Sequence, residues 1–181
     1  MLAWLLTERI RDGKATSLGA ASGIVAGLVA ITPSCSSVNV LGALVIGLVA
    51  GVFCALAVGL KYKLGFDDSL DVVGVHLVGG IIGTLLIGLV AAPEAGAGVT
   101  GLFYGGGVDQ LWRQAVGAGA VLLYSAIGTA ILAFIVKFTV GLRLSDEDEA
   151  TGADESEHAE SAYDFAAVGA GTVLGRHGGE E

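Results

Sequence analysis

Charged residues are scarce in this 181-residue sequence: they make up 15% of it, against 54% that are apolar. So little polarity excludes an ordinary soluble domain and reads as a membrane protein that crosses the bilayer several times. Prolines number two beside thirty glycines. That ratio excludes a collagen repeat. The glycines lie within apolar runs rather than polar linkers, so they read as packing residues and not as disorder. Stretches that alternate polar and apolar residues are missing, which argues against a β-barrel. The two cysteines, Cys35 and Cys54, both fall in apolar segments, where a thiol acts as a small hydrophobe rather than as a disulfide or metal ligand. There is no pair of nucleophile and base, no phosphate-cradling loop and no metal-ligand cluster, so neither an enzyme nor a cofactor is expected. His158 and His177 stand in the tail without ligand spacing.

The net charge of −9 hides a division. Residues 144–181 hold eleven acids against one base, Arg176, while the preceding 143 residues carry seven acids and eight bases. The expected organisation is therefore a nearly neutral membrane domain, 1–143, followed by an acidic tail, 144–181. Nothing is basic enough to hold nucleic acid by neutralising phosphates.

Four stretches approach or exceed the roughly 20 apolar residues that span a bilayer as a helix: about 17–34, 39–60, 72–92 and 116–140. An all-α bundle of about four spans is expected. The opening "MLAWLLTERIRDGK" has too few apolar residues before Glu8 for a span, and lacks the features of a signal peptide. It reads as the last turns of a helix, the alternative being a short interfacial anchor with Trp4 at the headgroups. With four spans, Arg9, Arg11, Lys14, Lys61, Lys63 and Arg143 share one side and Arg113 alone takes the other. The positive-inside rule then puts both termini in the cytoplasm. Gly19, Gly23 and Gly27, then Gly47 and Gly51, then Gly79 and Gly83 recur every four residues. Such spacing clears one face of a helix so that backbones approach closely in lipid.

One imidazole, His76, stands inside the run "DVVGVHLVGGIIGTLLIGLVA". Hydrocarbon offers its ring nitrogens neither donor nor acceptor, and an ionisable side chain in a span faces a cavity or a partner by default. At α-helical spacing Val72 and Gly80 share its face. The resulting wall is apolar, with one imidazole and a gap, and suits a small neutral hydrogen-bonding passenger better than a hydrated ion. Asp71 sits where this helix begins and reads as its N-cap, with a gating role as the alternative. Asp67 and Asp68 read as solvated loop residues. The tail from 144 on reads as disordered and solubilising.

The segments "LGAASGIVAGLVAITPSC", "GALVIGLVAG", "DDSLDVVGVHLVGGIIGTLLIG" and "TVGLRLSDEDEATGADESEHAESAYDF" occur in that order. Together they resemble the C-terminal portion of the ammonium transporter (Amt/Mep/Rh) family, over about residues 1–165. The resemblance implies a plasma-membrane protein of eleven spans with a cytoplasmic C-terminus. It further implies a homotrimer with one pore per subunit, this chain supplying the end of span seven and spans eight to eleven. His76 then matches the second histidine of the family's twin pair, Val72 an apolar pore-lining residue, and Asp71 the acid that begins the span. Ammonium is recruited and deprotonated, and ammonia passes the histidines. The first histidine, the outer aromatic site, the phenylalanine gate and the recruiting acid belong to earlier spans of the family. Leu77 and Ala159 stand where many members carry glycine. Family tails dock on a neighbouring subunit and meet PII-type signal proteins, which makes Ser156, His158 and Tyr163 possible regulatory residues. Two functions are thus expected as rivals: part of an ammonium channel, or a non-conducting membrane module that pairs with other transporter subunits.

Overall fold

The computed structural model describes residues 1–161, and among them every element is helical. The chain divides into two compact units, Met1–Ser125 and Ala126–Glu181. The first contains α1 (Leu2–Asp12), α2 (Ser17–Ile31), α3 (Val40–Ala57), α4 (Leu60–Leu64), a π turn (Val73–Leu77), α5 (Val78–Val90), a 3-10 turn (Leu102–Tyr104) and the start of α6 (Asp109–Thr139). Among the described residues three helical segments are long and apolar enough to cross a membrane: Val40–Leu64, Val73–Val90 and Asp109–Thr139. The first expected span is shorter. α2 has 15 residues and covers about 22 Å of a hydrocarbon core about 30 Å thick. It stops because the chain turns around Pro33, which cannot continue the helical ladder; Ser34 N–H bonds Ile31 O at 2.9 Å and Ser37 N–H bonds Ser34 O at 2.8 Å.

Side-chain oxygens start the apolar helices. Thr16 accepts from Gly19 N–H at 2.8 Å at the head of α2, and Asn39 from Gly42 N–H at 3.0 Å at the head of α3. Between the helices one buried cluster joins Trp4, Ala26, Cys54, Ala55 and Val75, and a second joins Ala30, Ile46, Ala50 and Val90. The glycine ladders make this closeness possible. A Cβ on Gly83 would run into the Ala30 carbonyl, one on Gly51 would lie 2.9 Å from Ala3 Cβ, and one on Gly23 would lie 2.7 Å from Trp4 Cβ. Gly19 sits equally close to Glu8, and Gly79 faces Val29 and Cys54. Gly27 and Gly47 meet nothing within 4 Å among the described residues.

Trp4 goes against the alternative reading of the opening segment as an interfacial anchor. It is 3% exposed and donates its indole N–H to Glu8 Oε1 at 3.1 Å, so it packs inside the bundle instead of anchoring at headgroups. Glu8, buried as well, takes the Thr16 N–H at 2.9 Å and so ties α1 to the start of α2. Cys35 is exposed in the turn after α2, with its thiol toward Thr32 O, and only Cys54 is the buried hydrophobe expected of both.

At the end of the unit where α3 begins, the α2–α3 turn is laced to the segment after α5. Ala92 N–H bonds Ser37 O at 2.9 Å, Ala97 N–H bonds Ser36 O at 2.8 Å, and Ser34 Oγ donates to Gly83 O at 2.9 Å. Asn39 Nδ2 donates to Glu94 Oε1 and to Tyr104 Oη, both at 2.8 Å. The Asn39 amide holds the Glu94 carboxyl below its usual range.

The second unit contains the rest of α6, then α7 (Asp146–Thr151) and α8 (Ala153–His158). The part of the tail that is described, read from sequence as disordered and solubilising, therefore carries two short helices. Ser145 caps α7 by accepting from Asp148 N–H at 3.2 Å, and Arg143 grips Glu149 with two bonds of 2.7 and 2.8 Å. Tyr163 and the end of the tail lie outside the described residues.

Candidate functional site

The helix that carries His76 starts differently from the sequence expectation. Asp68, four residues before the first helical turn, accepts from Val72 N–H at 2.7 Å and Val73 N–H at 2.9 Å with its two carboxylate oxygens. Asp68 is thus the capping carboxylate, and not a solvated loop residue. Asp71 is freed from that role. Its backbone takes the left-handed φ of 57° and its side chain pairs with Lys61 Nζ at 2.8 Å, while the same ammonium donates to Asp68 O at 2.9 Å. α4 and the start of the His76 helix are clamped together by one lysine. Ten residues separate Lys61 from Asp71, a spacing with no periodic signature.

Next comes a π turn over Val73–Leu77. Val78 N–H is shared between Val73 O, five residues back, and Val75 O, three back, an arrangement found as single-turn bulges inside α-helices. Gly74 lets the turn lie against α3, since a Cβ there would come within 2.8 Å of Val58 Cγ1. Val75, 4% exposed, points into the core, and the next residue, His76, points out.

His76 opens onto a cleft of about 520 Å³ between α5 and the first part of α6. Its α5 side is His76, Leu77, Gly80, Ile81 and Thr84; its α6 side includes Gln114, Gly117, Ala118 and Ser125. Among the described residues neither ring nitrogen of His76 has a hydrogen-bond partner. The cleft wall is mainly apolar and small, with the imidazole, one hydroxyl on α5, and one amide and one hydroxyl on α6 as its polar groups.

Of the residues singled out from sequence, the structure brings His76 and Gly80 to this cleft. Val72 is exposed but does not line it, because the π turn breaks the α-helical register between the two. Asp71 lines a different cleft of about 530 Å³ with Arg11, Asp12, Lys61 and Lys63. Gly79 and Gly83 pack against α2. Ser156, whose hydroxyl donates to Gly152 O at 3.1 Å, and His158 are exposed in the second unit. Gln114, Ser125 and Thr84 were missed by sequence reasoning, although Gln114, Ala118, Val121 and Ser125 follow helical spacing and could have been found by it.

A family model described as the Ammonium Transporter Family matches residues 1–163. The chain belongs to the ammonium transporter family. The ammonium transporter of Mycobacterium tuberculosis (strain H37Rv) is 75% identical over 180 residues, 96% of this chain and 38% of that protein. That of Aquifex aeolicus is 48% identical, over 91% of this chain and 38% of that one. Among solved structures, the crystal structure of Saccharomyces cerevisiae Mep2 superposes with a TM-score of 0.72 at 38% identity, over 81% of this chain and 34% of that one. A protein described as "Sensor Amt Protein" gives a TM-score of 0.71 at 30% identity. The chain spans about 38% of the length of the curated relatives it matches. The family's members are membrane transporters and channels, not enzymes, which agrees with the resemblance drawn from the residues alone.

Proposed function

We propose that this chain forms one wall of an ammonia-conducting path in a channel-like ammonium transporter, with His76 as the polar group of that wall. The observation that carries the reading is the state of His76: an imidazole in a membrane-length apolar helix, facing a cleft, with both nitrogens free to bond among the described residues. Such a group holds a neutral hydrogen-bonding solute or a second imidazole, and the apolar cleft wall around it disfavours an ion that keeps its hydration shell. Gly80 gives room beside the ring, and Val72 lines the path beyond the cleft. Asp71, clamped by Lys61, holds or gates the end of this helix.

The opposite wall comes from helices in the part of the relatives' length that this chain does not span, and flux requires them. We assign residues 1–143 to the membrane domain and 144–181 to a cytoplasmic tail in which Ser156, His158 and Tyr163 act in regulation. Support for the sidedness is that Arg11 donates to Ala55 O at 2.7 Å, which brings the α1 bases to the end of the unit that holds Lys61 and Lys63. By the positive-inside rule that end faces the cytoplasm. The assembled protein is a homotrimer in the plasma membrane that meets a PII-type partner at this face.

The test is uptake of labelled methylammonium, with ammonium as competitor, in cells lacking ammonium transporters. The chain alone, the chain with the N-terminal part of a close relative, and that pair with His76→Ala are compared. Flux only in the pair, lost or changed in selectivity on substitution, is the expected result. A co-purifying pair without flux assigns the chain to a non-conducting interaction module instead.

A further inference from the structure

We propose that Cys54 is a positioning residue for His76: its thiol fixes the π turn that swings the imidazole out of the core and into the cleft. Three observations meet at this sulfur. Cys54 lies on the buried face of α3 with no exposed surface. Its Sγ donates to Val75 O, the carbonyl immediately before His76, at 3.8 Å, a reach that the large sulfur permits for a weak donor. It also fills the notch left by Gly79, whose added Cβ would lie 3.5 Å from it.

The carbonyl it touches matters because the π turn reorganises it. Val75 O shares the Val78 N–H with Val73 O, so one donor serves two acceptors and each bond is weakened. In an apolar interior an incompletely satisfied carbonyl is costly, and a second donor at that oxygen favours the conformation that needs it. Straightening the turn into regular α-helix would return the Val78 N–H to the carbonyl four residues back, that of Gly74, and end the sharing that the thiol offsets. It would also rotate His76 by about one residue's step relative to α5, roughly 100°, away from Gly80 and toward the core. Cys54 touches neither the cleft nor its contents; it acts through the backbone.

The functional part of this inference rests on the transport reading, whereas its structural part does not, and the experiment keeps them apart. In the whole chain reconstituted in lipid nanodiscs, amide exchange is measured at Val78, within the turn's bonding, and at Ala91, whose N–H bonds Ile87 O at the far end of α5. Cys54→Ala removes donor and sulfur, and Cys54→Ser restores a donor on a side chain of nearly the same size as alanine. Loss of one such bond should speed exchange at Val78 by about three- to ten-fold in Cys54→Ala, leave Ala91 unchanged, and be reversed in Cys54→Ser. Equal exchange at Val78 in all three proteins, equal acceleration in both variants, or acceleration at Ala91 to the same extent as Val78 would each overturn the proposal, the last by showing a general packing role. In the uptake assay with the paired chain, Cys54→Ala should lower the rate and Cys54→Ser recover it. Absent uptake in the parent pair sinks the transport reading and leaves the exchange result to stand by itself.

Discussion

Among the described residues two that are not glycine adopt left-handed backbone, Asp71 at φ 57° and Ala159 at φ 53°, and they do so for opposite reasons. At Asp71 the conformation turns the carboxylate onto Lys61, and aspartate tolerates this region better than most side chains. Ala159 has no such return. It terminates α8 in the position that glycine fills in many helices, and its N–H closes the last turn on Glu155 O at 3.2 Å. A methyl group there costs about 1–2 kcal/mol, part of which glycine returns through its freer unfolded chain. Ala159→Gly is therefore expected to steady α8 by about 0.5–1 kcal/mol, seen as slower amide exchange at Glu160, whose N–H bonds Asp154 O. Faster exchange would mean that the left-handed cap is not what ends this helix. The sequence makes that position readable, since an alanine stands where the family resemblance expects glycine. It does not make Asp71 readable, because the Lys61 partner comes from another helix.

Between elements, the glycine ladders separate into contacts made and contacts left open. Gly83 presses on the Ala30 backbone whereas Gly27, on α2, meets nothing. Gly83→Ala should thus force α5 from α2 and cost about 1–3 kcal/mol, while Gly27→Ala should be neutral or slightly stabilising in the isolated chain. Unfolding by graded denaturing detergent in mixed micelles reads both, and equal losses would deny that the two faces differ. The tail offers a contrast in electrostatics. Arg143 holds the Glu149 carboxyl below its ordinary 4.5; a depressed folded value means that the pair supports α7 fully above about pH 4.5 and ceases to as pH falls through the depressed value. The pair is largely exposed, so the effect is modest and weakened by salt. Protection of α7 amides should drop on acidification in the parent and less so in Glu149→Gln; the same acid response in both would remove this pair from the account. Periodicity revealed that the glycine faces exist, but which of them meet depends on crossing geometry that no single helix encodes. The π turn is still less legible, since "VGVHL" has no residue that forbids an ordinary α-turn.

At the scale of the whole molecule, composition and apolar run length already named the class, and the one imidazole in an apolar helix already pointed to the candidate cleft. What sequence did not supply were the joints between distant segments: Asp68 as the cap, Lys61 with Asp71, and the lacing of residues 34–39 to the segment after α5. Asn39 is the hub of that lacing, with one side-chain atom capping α3 and the other serving Glu94 and Tyr104. Asn39→Ala is expected to cost about 1–2 kcal/mol and to raise exchange together at Ala92 and Ala97, the two amides that tie the segment after α5 to Ser36 and Ser37. A loss confined to the first turn of α3 would reduce Asn39 to a local cap. These joints also have an order in time. Asn39 and Glu94 are 55 residues apart and Ser34 and Gly83 are 49 apart. At a synthesis rate of about 5–20 residues per second, the later partner reaches the membrane roughly three to ten seconds after the earlier one. During that interval the turn after α2 waits with its serine hydroxyl and carbonyls unmatched, open to water, lipid headgroups or an insertion chaperone. The lacing is a clasp that α5 closes, so the birth order of the helices decides when this end of the protein becomes a single body.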